Sequence, residues 1–166
     1  MKRAIYPGSF DPWTNGHLDI LRRALSVFDE VIIVVAGTNR KNPLFSPEER
    51  VSIISDVVKA EGLERVQVDY WSGLIMDYAK KHEAQCVVRG LRAASDFEYE
   101  FMMASMNKEI LSEIETVFMM TSKNLFFVSS SMVKELYRYG GKIDSYVPKV
   151  VVQYLKSKIE SKSKED

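Results

Sequence analysis

The side chains with which this 166-residue chain could do chemistry fall in four short segments, and none of them holds a credible catalytic cysteine or a Ser-His-Asp set. Pro7-Gly8-Ser9-Phe10-Asp11-Pro12-Trp13-Thr14-Asn15-Gly16-His17 crowds two glycines, two prolines and a histidine ahead of a helix expected to begin near Leu18. Glycine lets a ligand approach the main chain, and a helix N-terminus presents unpaired amides with partial positive charge, so His17 could touch a phosphate there. The segment also reads as a structural turn with His17 as an end-of-helix residue. It is not a Walker A loop, because the Gly-Lys-Ser/Thr ending is missing. Gly37-Thr38-Asn39-Arg40-Lys41-Asn42-Pro43 carries two adjacent cations, which either grip an anion or are simply solvated. In Arg89-Gly90-Leu91-Arg92-Ala93-Ala94-Ser95-Asp96, Arg89 directly follows three residues of buried type, where a guanidinium makes sense if it forks onto a carboxylate or a phosphate. Ser129-Ser130-Ser131 supplies hydroxyls and free amides at a helix start, and a plain N-cap would need only one serine. Taken together, His17, Lys41, Arg89, Arg92 and the serine-capped helix describe a polyphosphate site.

The elements that must bring these segments together are short apolar runs alternating with longer helical patterns. Ala4-Ile5-Tyr6, Val31-Ile32-Ile33-Val34-Val35-Ala36, Val66-Gln67-Val68-Asp69-Tyr70, Cys86-Val87-Val88 and Thr116-Val117-Phe118-Met119-Met120 read as strands. The second has no polar alternation, as expected of a strand covered on both faces. Ser46-Pro47-Glu48-Glu49 is a capping box with Gly62 as the stop, and Ser95-Asp96-Phe97-Glu98 reads as a second box opening a helix to about Leu111. The serine run precedes a helix ended by Gly140-Gly141, Pro148 opens a last helix, and a frayed tail is expected from about residue 159. This alternation predicts an α/β fold: a doubly wound, five-stranded parallel sheet with helices on both faces, one domain over 1–166. Ligands in such folds bind beyond the carboxyl ends of the strands, which is where the chemistry-bearing segments lie.

Composition limits the partners. Twenty-three Lys plus Arg balance twenty-three Asp plus Glu, so an anion site must be a local concentration of charge and no nucleic-acid partner is expected. A hydrophobic share of 46% with 28% charged residues is that of an ordinary globular chain. The single cysteine, Cys86, excludes an internal disulfide and a cysteine-based zinc cage and suits a reducing compartment, so a cytoplasmic location is expected. No apolar run approaches the ~18 residues of a membrane span, and the basic start meets a Pro-Gly turn before any signal-peptide core.

Thr14-Asn15-Gly16-His17 resembles the H-x-G-H signature of the nucleotidyltransferase superfamily, and Ser129-Ser130-Ser131 resembles its serine-rich second signature. More narrowly, Tyr6 through Pro12, Arg89-Gly90-Leu91-Arg92-Ala93 with Asp96-Phe97-Glu98-Tyr99-Glu100, and Ser129 through Glu135 resemble the phosphopantetheine adenylyltransferase family, over roughly residues 2–157. The resemblance implies a Rossmann-like sheet and transfer of AMP from ATP to 4′-phosphopantetheine, giving dephospho-coenzyme A and pyrophosphate. It also implies Mg²⁺ as cofactor, a homohexamer and feedback binding of coenzyme A. By the same resemblance Ser9, Phe10, His17, Arg89, Gly90, Arg92, Glu100, Ser129, Ser130 and Ser131 would bind ATP. Ser9, Lys41, Leu74, Ile75, Arg89 and Asn107 would bind the acceptor, and His17, Lys41 and Arg92 would be catalytic. Two positions depart from the family pattern: Ser9 stands where many members have Thr, and Leu125 where some place an aromatic near the adenine.

The chemistry expected is an in-line attack by the acceptor phosphate on the ATP α-phosphorus. A phosphate monoester is largely ionised near neutrality, its second pKa lying near ~6, so no protein nucleophile or strong base is required. Positioning two polyanions and stabilising the charge that develops remain. Competing readings are a sister activity with another acceptor, such as nicotinamide mononucleotide, and a nucleotide-sensing module without turnover. A class I aminoacyl-tRNA synthetase fragment ranks last, having no room for a tRNA-binding domain. Elsewhere, the helix bearing Phe97, Phe101, Met102, Met103, Met106 and Ile110 is expected to pack in the core, or else to line a channel or a subunit interface. His82 is expected to be solvated, Cys86 to be a small core residue, and Trp13 and Trp71 to pack or touch ligand.

Overall fold

The computed structural model describes residues 2–37 and 43–162. Five strands, β1 (Arg3–Gly8), β2 (Glu30–Ala36), β3 (Val66–Trp71), β4 (Cys86–Leu91) and β5 (Glu115–Met120), alternate with α1 (Asn15–Ala24), α2 (Pro47–Ala60), α3 (Ile75–Lys81), α4 (Ala94–Ile110), α5 (Ser130–Arg138) and α6 (Lys149–Lys162). The strands form one parallel sheet in the order β3-β2-β1-β4-β5. The chain winds outward from β1 to β3, then crosses back to β4, so the direction of winding reverses between β1 and β4. A doubly wound sheet opens its ligand crevice at that point. The register shows where it opens: the β1–β2 ladder continues to Gly8↔Val35, whereas β1 and β4 pair at Ala4↔Cys86 and Ile5↔Val87.

Alternate strand residues feed two cores. Ala4, Tyr6, Val31, Ile33 and Val35 pack with α1, α2 and α6 residues such as Leu21, Ile54 and Leu155, while Ile5, Ile32, Val34 and Val87 pack on Met76, Tyr78 and Ala79 of α3. Both faces of the sheet are thus covered, which is why β2 shows no polar alternation. Burial of each such side chain stabilises the fold by roughly 1.5–3 kcal/mol.

Helix ends follow local rules in most places. Ser46 and Glu49 form the reciprocal cap of α2, and the chain leaves that helix through Gly62 at φ +64°, a conformation side-chain-bearing residues avoid. Four expectations are corrected. Helix α1 starts at Asn15, three residues ahead of Leu18, because Thr14 caps it. Strand β4 runs on to Leu91, so Arg89 lies within the strand and not after it. Helix α4 opens at Ala94 behind Ala93, and the Asp96 carboxylate reaches back to the Arg92 amide at 3.2 Å, so the expected box on Ser95 is displaced. Its apolar face is not in the core: Phe97, Phe101, Met102, Met106 and Ile110 are 46–59% exposed. The core reading of that helix therefore fails, because no other element covers this side of the sheet's β5 edge among the described residues. Helix α6 is helical through Lys162. No helix among the described residues is long and apolar enough to cross a membrane.

Candidate active site

The post-β1 segment turns sharply before α1. Phe10 sits at φ +48°, an uncommon and strained conformation for a bulky residue, and its ring packs at 4.9 Å from Trp13 and 5.1 Å from His17. Thr14, 1% exposed, caps α1: its Oγ1 accepts from the His17 amide, and in return His17 Nδ1 accepts from the Thr14 amide at 3.0 Å. A neutral imidazole that accepts at Nδ1 carries its proton at Nε2. Burial, and then the nearby charges of Arg92 and Arg89, push the His17 pKa down to about 3. His17 is therefore a neutral, orientationally fixed Nε2–H donor on the cavity wall, and the end-of-helix reading is absorbed into the first turn of α1.

The two arginines that sequence singled out reach the same place from β4 and the start of α4. The Arg89 guanidinium forks onto Glu100 of α4, with Nε and Nη2 at 2.6 and 2.5 Å from its two oxygens. Its Nη1 donates to the Pro7 carbonyl at 2.6 Å, bridging the crevice between β4 and β1. Of the alternatives for this fork, the structure gives the carboxylate. Arg92 donates from Nε and Nη2 to Asp96 at 3.0 and 3.2 Å. Both cations are thus matched by carboxylates, and Arg92, whose side chain is 39% exposed, is the more easily drawn to an incoming anion.

The serines divide their work. Ser129 caps α5 by accepting from the Met132 amide at 3.1 Å, and Ser130 donates to the Pro12 carbonyl at 2.7 Å, tying α5 to the post-β1 turn. Ser131 is exposed on the rim. A single N-cap accounts for only the first.

These groups share one cavity of about 730 Å³, a volume suited to a small-molecule substrate. Ser9, Phe10 and His17 line it together with Arg89, Gly90, Arg92, Glu100 and Asn107, the three serines, and Leu74 and Ile75. Every expected site residue among the described ones lines it, and Lys41 lies outside the described residues. Gly90 has a reason to be glycine, since a Cβ there would come within 3.1 Å of Ile20 Cγ1. Among the described residues no group of three or more His, Cys, Asp or Glu side chains is arranged to hold a metal.

Sequence reasoning missed Tyr99 and Ala104, which line the cavity from α4 beside Met103, a residue of the helix also read as a channel lining. It also missed Asp11, which directly follows the cavity residue Phe10 in the chain, and Lys134, its ion-pair partner at 2.8 Å. Burial alone would raise the Asp11 pKa, but Lys134 and the Leu44 and Phe45 amides outweigh it and hold the carboxyl below its ordinary range. Lys134 follows Ser130 by four positions, one helical turn, and that spacing was the signal for it. One peripheral reading also changes. His82 stacks on Tyr78 with ring centroids 4.0 Å apart and is half-buried, not solvated. Cys86 is half-buried at the core margin. Trp13 is fully buried, while the Trp71 indole donates to the Leu74 carbonyl.

A switch-point crevice holding a histidine at a helix mouth, paired arginines and a serine-capped helix defines a nucleotidyltransferase-type protein, and the cytidylyltransferase-like family model matches residues 5–136. A bifunctional NMN adenylyltransferase/ADP ribose pyrophosphatase from Francisella tularensis has the same fold, with a TM-score of 0.74 at 16% identity over 96% of this chain and 50% of that one. Relatives are much nearer in sequence. A phosphopantetheine adenylyltransferase from Desulforudis audaxviator is 51% identical over 158 residues, 95% of this chain and 96% of its own. One from Alkaliphilus metalliredigens is 46% identical over 158 residues, 95% of this chain and 99% of its own. The chain belongs to the phosphopantetheine adenylyltransferase family.

Proposed function

We propose that the protein moves the AMP group of ATP onto 4′-phosphopantetheine, releasing pyrophosphate and forming dephospho-coenzyme A. The observation that carries this reading is the convergence of His17, Arg89, Arg92 and the α5 serines on one cavity that the apolar Leu74–Ile75 turn also lines. The first set suits a polyphosphate, the second a pantetheine arm. An acceptor phosphate oxygen forms a bond to the α-phosphorus as the bond from that phosphorus to the bridging oxygen breaks, and the electron pair leaves with pyrophosphate. His17 donates from Nε2 to phosphoryl oxygens, and Arg92 exchanges Asp96 for them as ATP enters. Arg89, held by Glu100, gives fixed positive potential beneath both reactants. Ser9, Lys41 and Asn107 serve the acceptor, with Phe10, Gly90 and the serines on the nucleotide. Holding the reactants in line supplies roughly 7–11 kcal/mol, more than any single donor at about 3–4 kcal/mol.

Mg²⁺ is the proposed cofactor and would reach the site on the triphosphate. The residues here do not fit a dedicated cage, since Asp96 and Glu100 are spent on arginines, so no step is assigned to the metal. The exposed apolar face of α4 supports assembly, proposed as a homohexamer, and coenzyme A, which contains the acceptor's own skeleton, would compete for the same cavity as feedback ligand. A cytoplasmic location goes with the one unpaired cysteine. Pyrophosphate release with ATP, Mg²⁺ and 4′-phosphopantetheine tests the reading. Release must depend on that acceptor; release with nicotinamide mononucleotide instead, or with none, overturns it.

A further inference from the structure

The Asp11–Lys134 ion pair belongs to a larger arrangement. Asp11 is 7% exposed, and both its oxygens are used: Oδ1 accepts from the Phe45 amide at 2.9 Å, and Oδ2 accepts from the Leu44 amide at 3.0 Å and from Lys134 Nζ at 2.8 Å. One carboxylate thus joins three separate pieces of chain: the post-β1 turn, the stretch entering α2, and α5. Arg50, 2% exposed, donates to the carbonyls of Ser9 at 2.7 Å and Ser46 at 3.3 Å. Ser9 and Phe10, which line the cavity, are therefore tied to the Leu44–Ser46 stretch by two buried charged side chains, neither of which lines the cavity itself.

We propose that Asp11 is a positioning residue: with Lys134 as its counter-charge, it fixes the main chain at Ser9 relative to Leu44–Phe45 and thereby sets where Ser9 meets the acceptor. This rests on the activity proposed above. The reason is one of stereochemistry and charge. The turn holds Phe10 at a disfavoured φ, which persists only where surrounding bonds over-determine it. A carboxylate accepts two amides side by side, whereas an amide side chain offers one oxygen and turns its NH₂ toward the second amide. Lys134 neutralises a charge that would otherwise be buried alone. The nucleotide side does not depend on this clamp to the same degree, because Ser130 keeps its own bond to Pro12 and Thr14 its own cap on α1.

The test is steady-state kinetics on the full chain, with pyrophosphate release read while each substrate is varied in turn, on Asp11→Asn, Lys134→Met and Lys134→Arg. Asp11→Asn and Lys134→Met are expected to raise the KM for 4′-phosphopantetheine about tenfold while the KM for ATP stays within twofold, and Lys134→Arg to keep both within twofold. A smaller folded fraction lowers the apparent kcat but leaves KM alone, so the split separates positioning from mere stability. Should Asp11→Asn not fold, Lys134→Met reads the same quantity. The proposal is overturned if the acceptor KM stays within twofold in the variants that fold, if both KM values rise together, or if Lys134→Arg behaves like Lys134→Met. Wild-type protein without acceptor-dependent release would instead sink the activity itself, a different result.

Discussion

His17 makes the sharpest prediction because the structure fixes both its protonation and which nitrogen works. Nδ1 is occupied by the Thr14 amide, so the only group the ring can offer a phosphate is Nε2–H. Losing one donor aimed at developing charge costs about 3–4 kcal/mol, so His17→Ala should lower kcat by roughly a hundred- to a thousandfold. Two amide substitutions separate the nitrogens. Gln can place its NH₂ near the position of Nε2, while Asn reaches only as far as Nδ1, so His17→Gln should keep about tenfold more activity than His17→Asn. With a pKa near 3, the ring is neutral throughout the working range, and kcat/KM, which reports the free enzyme, should contain no limb from His17 between pH 5 and 8. The acceptor's own second ionisation near ~6 should appear equally in wild type and His17→Gln. The assay is pyrophosphate release across pH with both substrates well below saturation. An acid- or base-side limb present in wild type and absent in His17→Gln, or His17→Asn outperforming His17→Gln, would refute a neutral Nε2–H donor.

Acid stability should carry the same signature. The folded His17 pKa lies below its unfolded value near ~6.5, so between the two the unfolded chain binds the extra proton; stability is whole above ~6.5 and falls as pH drops toward 3, by at most about 1.4 kcal/mol per pH unit. Urea titrations at pH 7, 5 and 4 should show His17→Gln losing less than wild type, and equal losses would count against the buried neutral ring. Gly8→Ala puts a Cβ within 2.6 and 2.7 Å of the Phe10 ring, which is itself buried, so the cavity lining must shift; kcat/KM should fall about tenfold or more, and an unchanged value would mean Phe10 is free to move. Replacing Phe101 and Met106 with Glu on the open face of α4 should shift the sedimenting species to a lower mass than wild type, with identical profiles arguing that this face is not an assembly surface.

Much of the architecture was legible in the chain because it depends on local rules and on burial. Alternating apolar runs and helical patterns require a parallel sheet with crossovers, and an unbroken run such as Val31 to Ala36 requires cover on both faces. Capping chemistry marked α2 and α5, but it misplaced the start of α4, where an Asp96 carboxylate serves the Arg92 amide, and it overlooked Thr14 at the head of α1. Burial of α4 was misread because apolar content says that a face wants cover, not that the same chain supplies it.

What the sequence determined by itself was the set of chemistry-bearing residues and the strand ends that carry them, because side-chain type and chain order are local facts. Tertiary structure alone decided what each does there. Arg89 meets Glu100 and Pro7, Asp11 meets Lys134 across 123 positions, and His17 loses its positive charge to burial and to two arginines, one in β4 and one just after it. Pairing and desolvation depend on distances between segments remote in sequence, and those distances exist only once the sheet has formed.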